Sequence, residues 1–287
     1  MAWINYLQLA RCPISLLLPS FAVGTSYLIA KEGRYEVEIF IPLSAAILGT
    51  AGMCALNDYF DVDADRSGAA RRPLPFGRIS LRTGLAFAIT LTILGMMAAS
   101  LSTQRLVPIT GGLAVLLGLL YYWRAKGCGW LGALNFGLIM AAVTFLGIAQ
   151  AVPVPFLAPY LLFLLFVVLA AAGNQATACF FDYRSDRDNG YCTPSVISGL
   201  KRAAAVTVSS RLISFIILLL FLAQRGWFIW RLAPPLVVLG LIPLLSYRLL
   251  AQAEKGRHAM IAFRMAMLYT VLSFATLIMA LFRQHIA

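Results

Sequence analysis

The chain has 287 residues, of which 61% are hydrophobic and only 12% charged, with a formal net charge of +12. Soluble domains run at about 45–50% apolar and about 25% charged, so this composition excludes an ordinary soluble globular protein. The Lys and Arg residues lie scattered between apolar runs rather than gathered on one polar face, which argues against nucleic-acid binding and for juxtamembrane anchoring.

In chain order, apolar runs long enough to cross a bilayer fall at about 12–30, 39–57, 81–101, 106–123, 130–150, 156–181, 203–223, 231–250 and 259–281. The pattern predicts an all-α membrane protein, a single bundle of about nine transmembrane helices. The first run follows Arg11, carries Pro13 and Pro19, and lacks the cleavage pattern of a signal peptide. No Ser/Gly-rich linker divides the chain, so residues 1–287 read as one domain. The cysteines (Cys12, Cys54, Cys128, Cys179 and Cys192) form no CxxC pair and read mostly as small apolar packing residues. With only His258 and His285 besides, no zinc or haem site assembles from familiar spacings.

Charge sets the orientation. With a cytoplasmic N-terminus, seventeen basic residues fall on one side and six (Lys31, Arg34, Arg105, Arg225, Arg231 and Arg283) on the other. The richer side, which includes Arg71 and Lys255, is therefore expected to be cytoplasmic. The ends of the second, fourth and sixth spans emerge there. The expected location is the cell (inner) membrane, multi-pass.

Those span ends hold most of the polar chemistry. Of eleven acidic residues, seven lie in Asn57-Asp58-Tyr59-Phe60-Asp61-Val62-Asp63-Ala64-Asp65 and Asp182-Tyr183-Arg184-Ser185-Asp186-Arg187-Asp188. If helical geometry continues from each span, Asn57, Asp61 and Asp65 stack at i, i+4 and i+8, and Asp182 and Asp186 at i, i+4. Like charges at that spacing repel, and acid beside a bilayer is costly, so a compensating charge is required. Mg²⁺ suits hard oxygen donors and is usually held by one or two carboxylates with phosphate oxygens and water. Asp61, Asp65, Asp182 and Asp186 are therefore expected metal ligands, for two or three ions clamping a diphosphate, and Asp58, next to the first row, is counted with them. Asp63 and Asp188 fall off these rows and read as solvated loop acids.

Basic residues follow each acidic stretch. After the first come Arg66, Arg71 and Arg72, then Pro73-Leu74-Pro75-Phe76-Gly77-Arg78-Ile79-Ser80, whose Pro and Gly residues form a turn able to fold back over the site. Arg66 and Arg72 are suited to bidentate phosphate binding. At the end of the fourth span Tyr122-Trp123-Arg124-Ala125-Lys126 is expected to put the Tyr122 hydroxyl and the Lys126 ammonium on one helical face. Arg211 sits inside the seventh span, where it either lines a polar cavity or snorkels.

The ordered set of motifs resembles the UbiA superfamily of intramembrane prenyltransferases. Asn57, Asp58, Asp61 and Asp65 match its NDxxDxxxD motif, and Arg72 to Ser80 its RPLPxGxIS-like stretch. Tyr122 and Lys126 match YxxxK, while Asp182, Asp186, Gly190 and Thr193 match the second DxxxD region, and Arg11 before Pro13 resembles the family's basic start of helix 1. The resemblance implies nine helices around a central cavity with a cytoplasmic cap. It further implies Asp61, Asp182 and Lys126 as catalytic residues, and Asn57, Arg66, Arg72, Tyr122 and Lys126 as diphosphate contacts. The short gap from Asp65 to Arg72, and Leu131-Gly132-Ala133-Leu134-Asn135-Phe136-Gly137, are nearer the EboC-like branch. Where that branch carries an Arg and an Asn, this chain has the largely apolar Leu138-Ile139-Met140-Ala141-Ala142-Val143-Thr144, which argues against a charged acceptor. Distinctive haem-binding elements are not evident, which argues against farnesyl transfer to haem.

The leading expectation is Mg²⁺-dependent transfer of a prenyl group from an isoprenyl diphosphate to a small lipophilic acceptor. Phe60, Tyr121, Phe136, Phe180 and Phe181 are placed to offer π faces to an allylic cation, although most read as packing or lipid-facing residues. The alternative is a membrane terpene cyclase, in which the chain's own double bond is the nucleophile and no acceptor is needed. A cation transporter fits poorly, because transporter acids sit near the bilayer midplane whereas these sit at span ends.

Overall fold

A run of about twenty apolar residues in lipid must satisfy its own backbone N–H and C=O groups, which selects helix. The computed structural model bears this out over the described residues, which are 2–66, 72–152, 158–188, 190–227, 232–254 and 256–283. The expectations placed on Ser67 to Arg71, Arg231, Lys255 and His285 lie outside them. Eight helices are long and apolar enough to cross a membrane, and a ninth span counts if Trp3–Leu9 and Ile14–Ala30, bent by 47°, are taken together. The protein is thus a multi-pass, all-α membrane protein.

The chain forms two compact units, Met1–Tyr122 with Ala142–Pro155 and Trp123–Ala141 with Phe156–Ala287. In the first, α1 (Ala2–Leu9) precedes α2 (Ile14–Ala30), and α3 (Phe40–Phe60) is followed by the short α4 (Val62–Arg66). Then come α5 (Leu81–Ser100), α6 (Leu106–Trp123), whose last residue belongs to the other unit, and the second half of α7 (Trp130–Ala151). Small residues bring α3 and α5 together: a Cβ on Gly95 would lie 2.8 Å from the Gly49 nitrogen, and one on Gly52 2.9 Å from the Ala88 carbonyl. The Ser26 hydroxyl, buried on α2, donates to the Thr144 carbonyl of α7 at 2.6 Å.

In the second unit, the first half of α7 is followed by α8 (Leu161–Phe181), two short helices α9 (Tyr183–Asp188) and α10 (Pro194–Ser198), and then α11 (Leu200–Gln224), α12 (Ala233–Ala251) and α13 (Gly256–Arg283). Phe180, Ala203, Ala204, Val208, Leu250, Ala259 and Ala262 form one of its cores. The α9–α10 segment is strapped down: Ser195 Oγ donates to the Cys179 carbonyl at 2.9 Å, the Gly129 N–H to the Cys192 carbonyl at 2.8 Å, and Trp130 Nε1 to Ser198 Oγ at 3.1 Å.

The structure adds one helix, decides one open alternative and changes one expectation. The first expected span matches α2, but a further helix, α1, precedes it across a break at Arg11, whose φ of 52° is left-handed. Arg211 does not snorkel: it is 0% exposed, and its Nη2 donates to the Gly173 carbonyl at 3.2 Å, to Asn174 Oδ1 at 3.4 Å and to Thr177 Oγ1. A long side chain can satisfy part of its guanidinium on a neighbouring helix when it cannot reach the interface. The cysteines are all free, but Cys12, Cys128 and Cys192 are exposed rather than packed.

Candidate active site

Each acidic stretch is built by the same local device. The long helix α3 stops at Asp61, the capping residue, with φ −91° and ψ 4°. The long helix α8 stops at Asp182 in nearly the same conformation, φ −93° and ψ 6°. In both, a short helix follows at once, and the acid four residues on returns its N–H to the capping residue's carbonyl: Asp65 to Asp61 and Asp186 to Asp182, each at 2.8 Å. The i, i+4 relation therefore survives the break in the helix, which keeps the two carboxylates of each pair one turn apart.

In the first unit Asn57 Nδ2 donates to Asp61 Oδ2 at 2.8 Å, extending the row one turn back. The Pro73–Ser80 turn folds back as expected. Leu74 is buried with Leu9, Ala55, Leu56 and Val62, Gly77 takes a left-handed φ of 66°, and Ser80 caps α5 by accepting from the Thr83 N–H at 3.1 Å. This fold-back delivers Arg72 to the acids. Its Nη1 lies 2.9 Å from Asp58 Oδ1, 2.7 Å from Asp65 Oδ2 and 3.9 Å from Asp61 Oδ2. Asp58 is buried and also accepts from Arg11 Nη2 at 2.6 Å. Tyr122 joins this cluster, stacked on Phe60 with ring centroids 6.1 Å apart and within the electrostatic reach of Asp58, Asp61 and Arg11.

Arg66 goes elsewhere. It pairs with Asp63 at 2.8 Å, and both side chains are exposed, 60% and 86%. Asp188 likewise pairs with its neighbour Arg187 at 3.4 Å on the surface. The two acids expected to be solvated are so.

In the second unit Asp182 caps α8 and Asp186 lies one turn on in α9, while Lys126 lies in the turn between α6 and α7. Lys126 is not on a helical face continuing from Tyr122. Helix α6 ends at Trp123, Arg124 departs from helical geometry (φ −138°, ψ −46°), and Lys126 sits in a 3₁₀ turn, Ala125–Gly127. Gly127 and Gly129, the latter at φ 56°, unwind the chain there. Gly190 turns the chain after α9 at φ 72°, and Thr193, which is buried, is the N-cap residue of α10.

Among the aromatic residues, Phe180 and Tyr121 are buried packing residues, whereas Phe60 and Phe181 are about half exposed, each immediately before a capping Asp.

Among the described residues no group of three His, Cys, Asp or Glu forms a ready metal cage. Pairs of carboxylates with a neighbouring amide suit Mg²⁺, which completes its shell with phosphate oxygens and water. The donor set therefore fits a metal that arrives with a phosphorylated ligand.

Residues 16–271 match the model of the UbiA prenyltransferase family. The chain belongs to that family. It is 33% identical over 144 residues to the digeranylgeranylglyceryl phosphate synthase of Methanopyrus kandleri, which covers 50% of this chain and 52% of that protein. It is 29% identical over 254 residues to the protoheme IX farnesyltransferase of Pyrobaculum arsenaticum, covering 85% of this chain and 87% of that protein. The chain thus spans about half the length of the first of these relatives and most of the second. A UbiA homolog from Archaeoglobus fulgidus, solved with GPP and Mg²⁺, shares the fold at a TM-score of 0.66 and 16% identity, over 95% of this chain and 99% of that one.

Proposed function

We propose that this chain acts as a single Mg²⁺-dependent intramembrane prenyltransferase domain that ionises an isoprenyl diphosphate and transfers the prenyl group to a small lipophilic acceptor. The observation that carries this reading is the twin construction at Asp61/Asp65 and Asp182/Asp186, in a chain whose other acids are few.

Asp61 and Asp65, with the Asn57 amide, and Asp182 and Asp186 would hold two or three Mg²⁺ ions. Bound there, the metal supplies Lewis-acid neutralisation of the diphosphate. Arg72 and Lys126 would each offer positive charge to the negative charge that the leaving diphosphate gains, which lowers the barrier most when the donors are fixed beforehand. The ion pairs of Arg72 and the strapped turn around Lys126 support such fixing. Tyr122 offers a hydroxyl donor beside Asp61. The bond between the prenyl C1 and the bridging oxygen breaks, and its electron pair leaves with the diphosphate. The acceptor's pair then forms the new bond to C1, and its proton passes to solvent or to the diphosphate. Phe60 and Phe181, half exposed at the helix ends, present π faces suited to the allylic cation.

Transfer is distinguished from cyclisation by incubating the purified protein with geranyl, farnesyl and geranylgeranyl diphosphates and Mg²⁺ but no acceptor. The expected result is no cyclic product; a cyclic hydrocarbon or alcohol would replace transfer by cyclisation.

We place the site on the cytoplasmic side of the cell (inner) membrane, on the strength of the seventeen-to-six basic asymmetry. Single cysteines at Ala125 and Ser185, in a chain cleared of its native ones, should react with an impermeant thiol reagent from the cytoplasmic side only. Labelling of either from the opposite face contradicts the orientation.

A further inference from the structure

Asp58 differs from the other acids of its cluster. Its side chain is 2% exposed, against 18% for Asp61 and 16% for Asp65. One oxygen, Oδ1, accepts from two guanidiniums, Arg11 Nη2 at 2.6 Å and Arg72 Nη1 at 2.9 Å. These arginines come from distant parts of the chain, one from the break between α1 and α2 and the other from the turn after α4.

Arg11 holds its place at a conformational cost. Its φ of 52° lies in the left-handed region, which residues with a Cβ rarely occupy unless the surroundings hold them there. The Asp58 ion pair, with the Arg11 N–H bonded to the Gln8 carbonyl at 3.0 Å, ties it down. The two arginines are themselves 33% and 27% exposed, so each reaches from a buried anchor toward the surface. A guanidinium presents five donors in a rigid fork, and fixing one edge on a buried carboxylate orients the rest.

We propose that Asp58 is a positioning residue rather than a metal ligand: it fixes Arg11 and Arg72 as a two-guanidinium clamp for the substrate's diphosphate. A buried carboxylate shared by two arginines carries its counter-charge already, so a divalent ion there would have to displace an arginine first. Asp61, 18% exposed and bonded to the Asn57 amide, and Asp65, 16% exposed although Arg72 also pairs with it, are the acids a metal would reach from the surface. This inference rests on the prenyl-diphosphate reading above.

The test uses the full-length protein in detergent and two readouts. The first is the Mg²⁺ concentration that half-saturates the melting shift produced by Mg²⁺ with inorganic pyrophosphate. The second is the KM for the prenyl diphosphate. Asp58→Asn should leave the Mg²⁺ midpoint within about twofold of the parent, whereas Asp61→Asn raises it at least about tenfold, the effect of losing a ligand. Asp58→Asn and Arg11→Gln should each raise the KM about tenfold, and the double variant should be no worse than the worse single, because both remove the same clamp. A Mg²⁺ midpoint for Asp58→Asn raised as far as that of Asp61→Asn overturns the proposal. If Asp58→Asn does not fold, Arg11→Gln decides: a KM unchanged from the parent overturns the clamp. Absence of any Mg²⁺–pyrophosphate shift in the parent protein would instead overturn the prenyl-diphosphate reading itself.

Discussion

Asp61→Ala, Asp182→Ala and Lys126→Ala are each expected to lower turnover at least about a hundredfold, the scale of removing one preorganised contact to a developing charge. Asp63→Ala and Asp188→Ala should keep most of the activity. Their side chains are 86% and 69% exposed and paired with surface arginines, so they differ from the site acids in placement, not in chemistry. Steady-state turnover with each purified variant checks this. Equal losses in Asp61→Ala and Asp63→Ala would mean that acid content, and not the i, i+4 geometry, carries the activity.

From repulsion alone, removing a carboxylate from the first cluster should stabilise the protein. The structure moderates that expectation. Arg72 already bridges Asp58 and Asp65, and Asn57 donates to Asp61, so part of the repulsion is relieved within the chain. Asp61→Ala loses the Asn57 hydrogen bond and the 3.9 Å contact with Arg72 but also relieves repulsion, and its melting temperature should stay near that of the parent.

Chelation should have the larger effect. Excess EDTA is expected to abolish turnover, with Mg²⁺ or Mn²⁺ restoring it. The carboxylate pairs offer too few protein ligands among the described residues for a resident ion, so the metal is expected to bind weakly alone and tightly with the diphosphate. Turnover that persists in excess EDTA would remove the metal from the account.

Much of this was legible in the residues because bilayer thickness makes span length a strong signal, and because acid is rare enough here for seven residues in two clusters to stand out. The off-row placement of Asp63 and Asp188 followed from helical period alone. Other features did not. Periodicity showed the Asp61–Asp65 relation but not that a helix ends between them, since a capping residue with its carbonyl still accepting preserves the spacing. Tyr122 and Lys126 misled in the opposite way: four residues apart, they promised a shared face, but α6 ends at Trp123, Arg124 leaves helical geometry and Lys126 falls in a separate 3₁₀ turn. The break at Arg11 was hidden because α1 is apolar like the span it precedes. Arg66 and Arg72 look alike in the sequence, and only the fold-back anchored by Leu74 sends one to the acids and leaves the other with Asp63.

The central claim is that the acid rows bind an isoprenyl diphosphate through Mg²⁺. Its most direct measurement is calorimetric binding of a non-ionisable geranyl thiolodiphosphate to the purified protein, with Mg²⁺ and then with EDTA. The account predicts binding in Mg²⁺ that is lost in EDTA, lost in Asp61→Ala and kept in Asp63→Ala. Equal affinity with and without the metal, or equal affinity in the two variants, would contradict it.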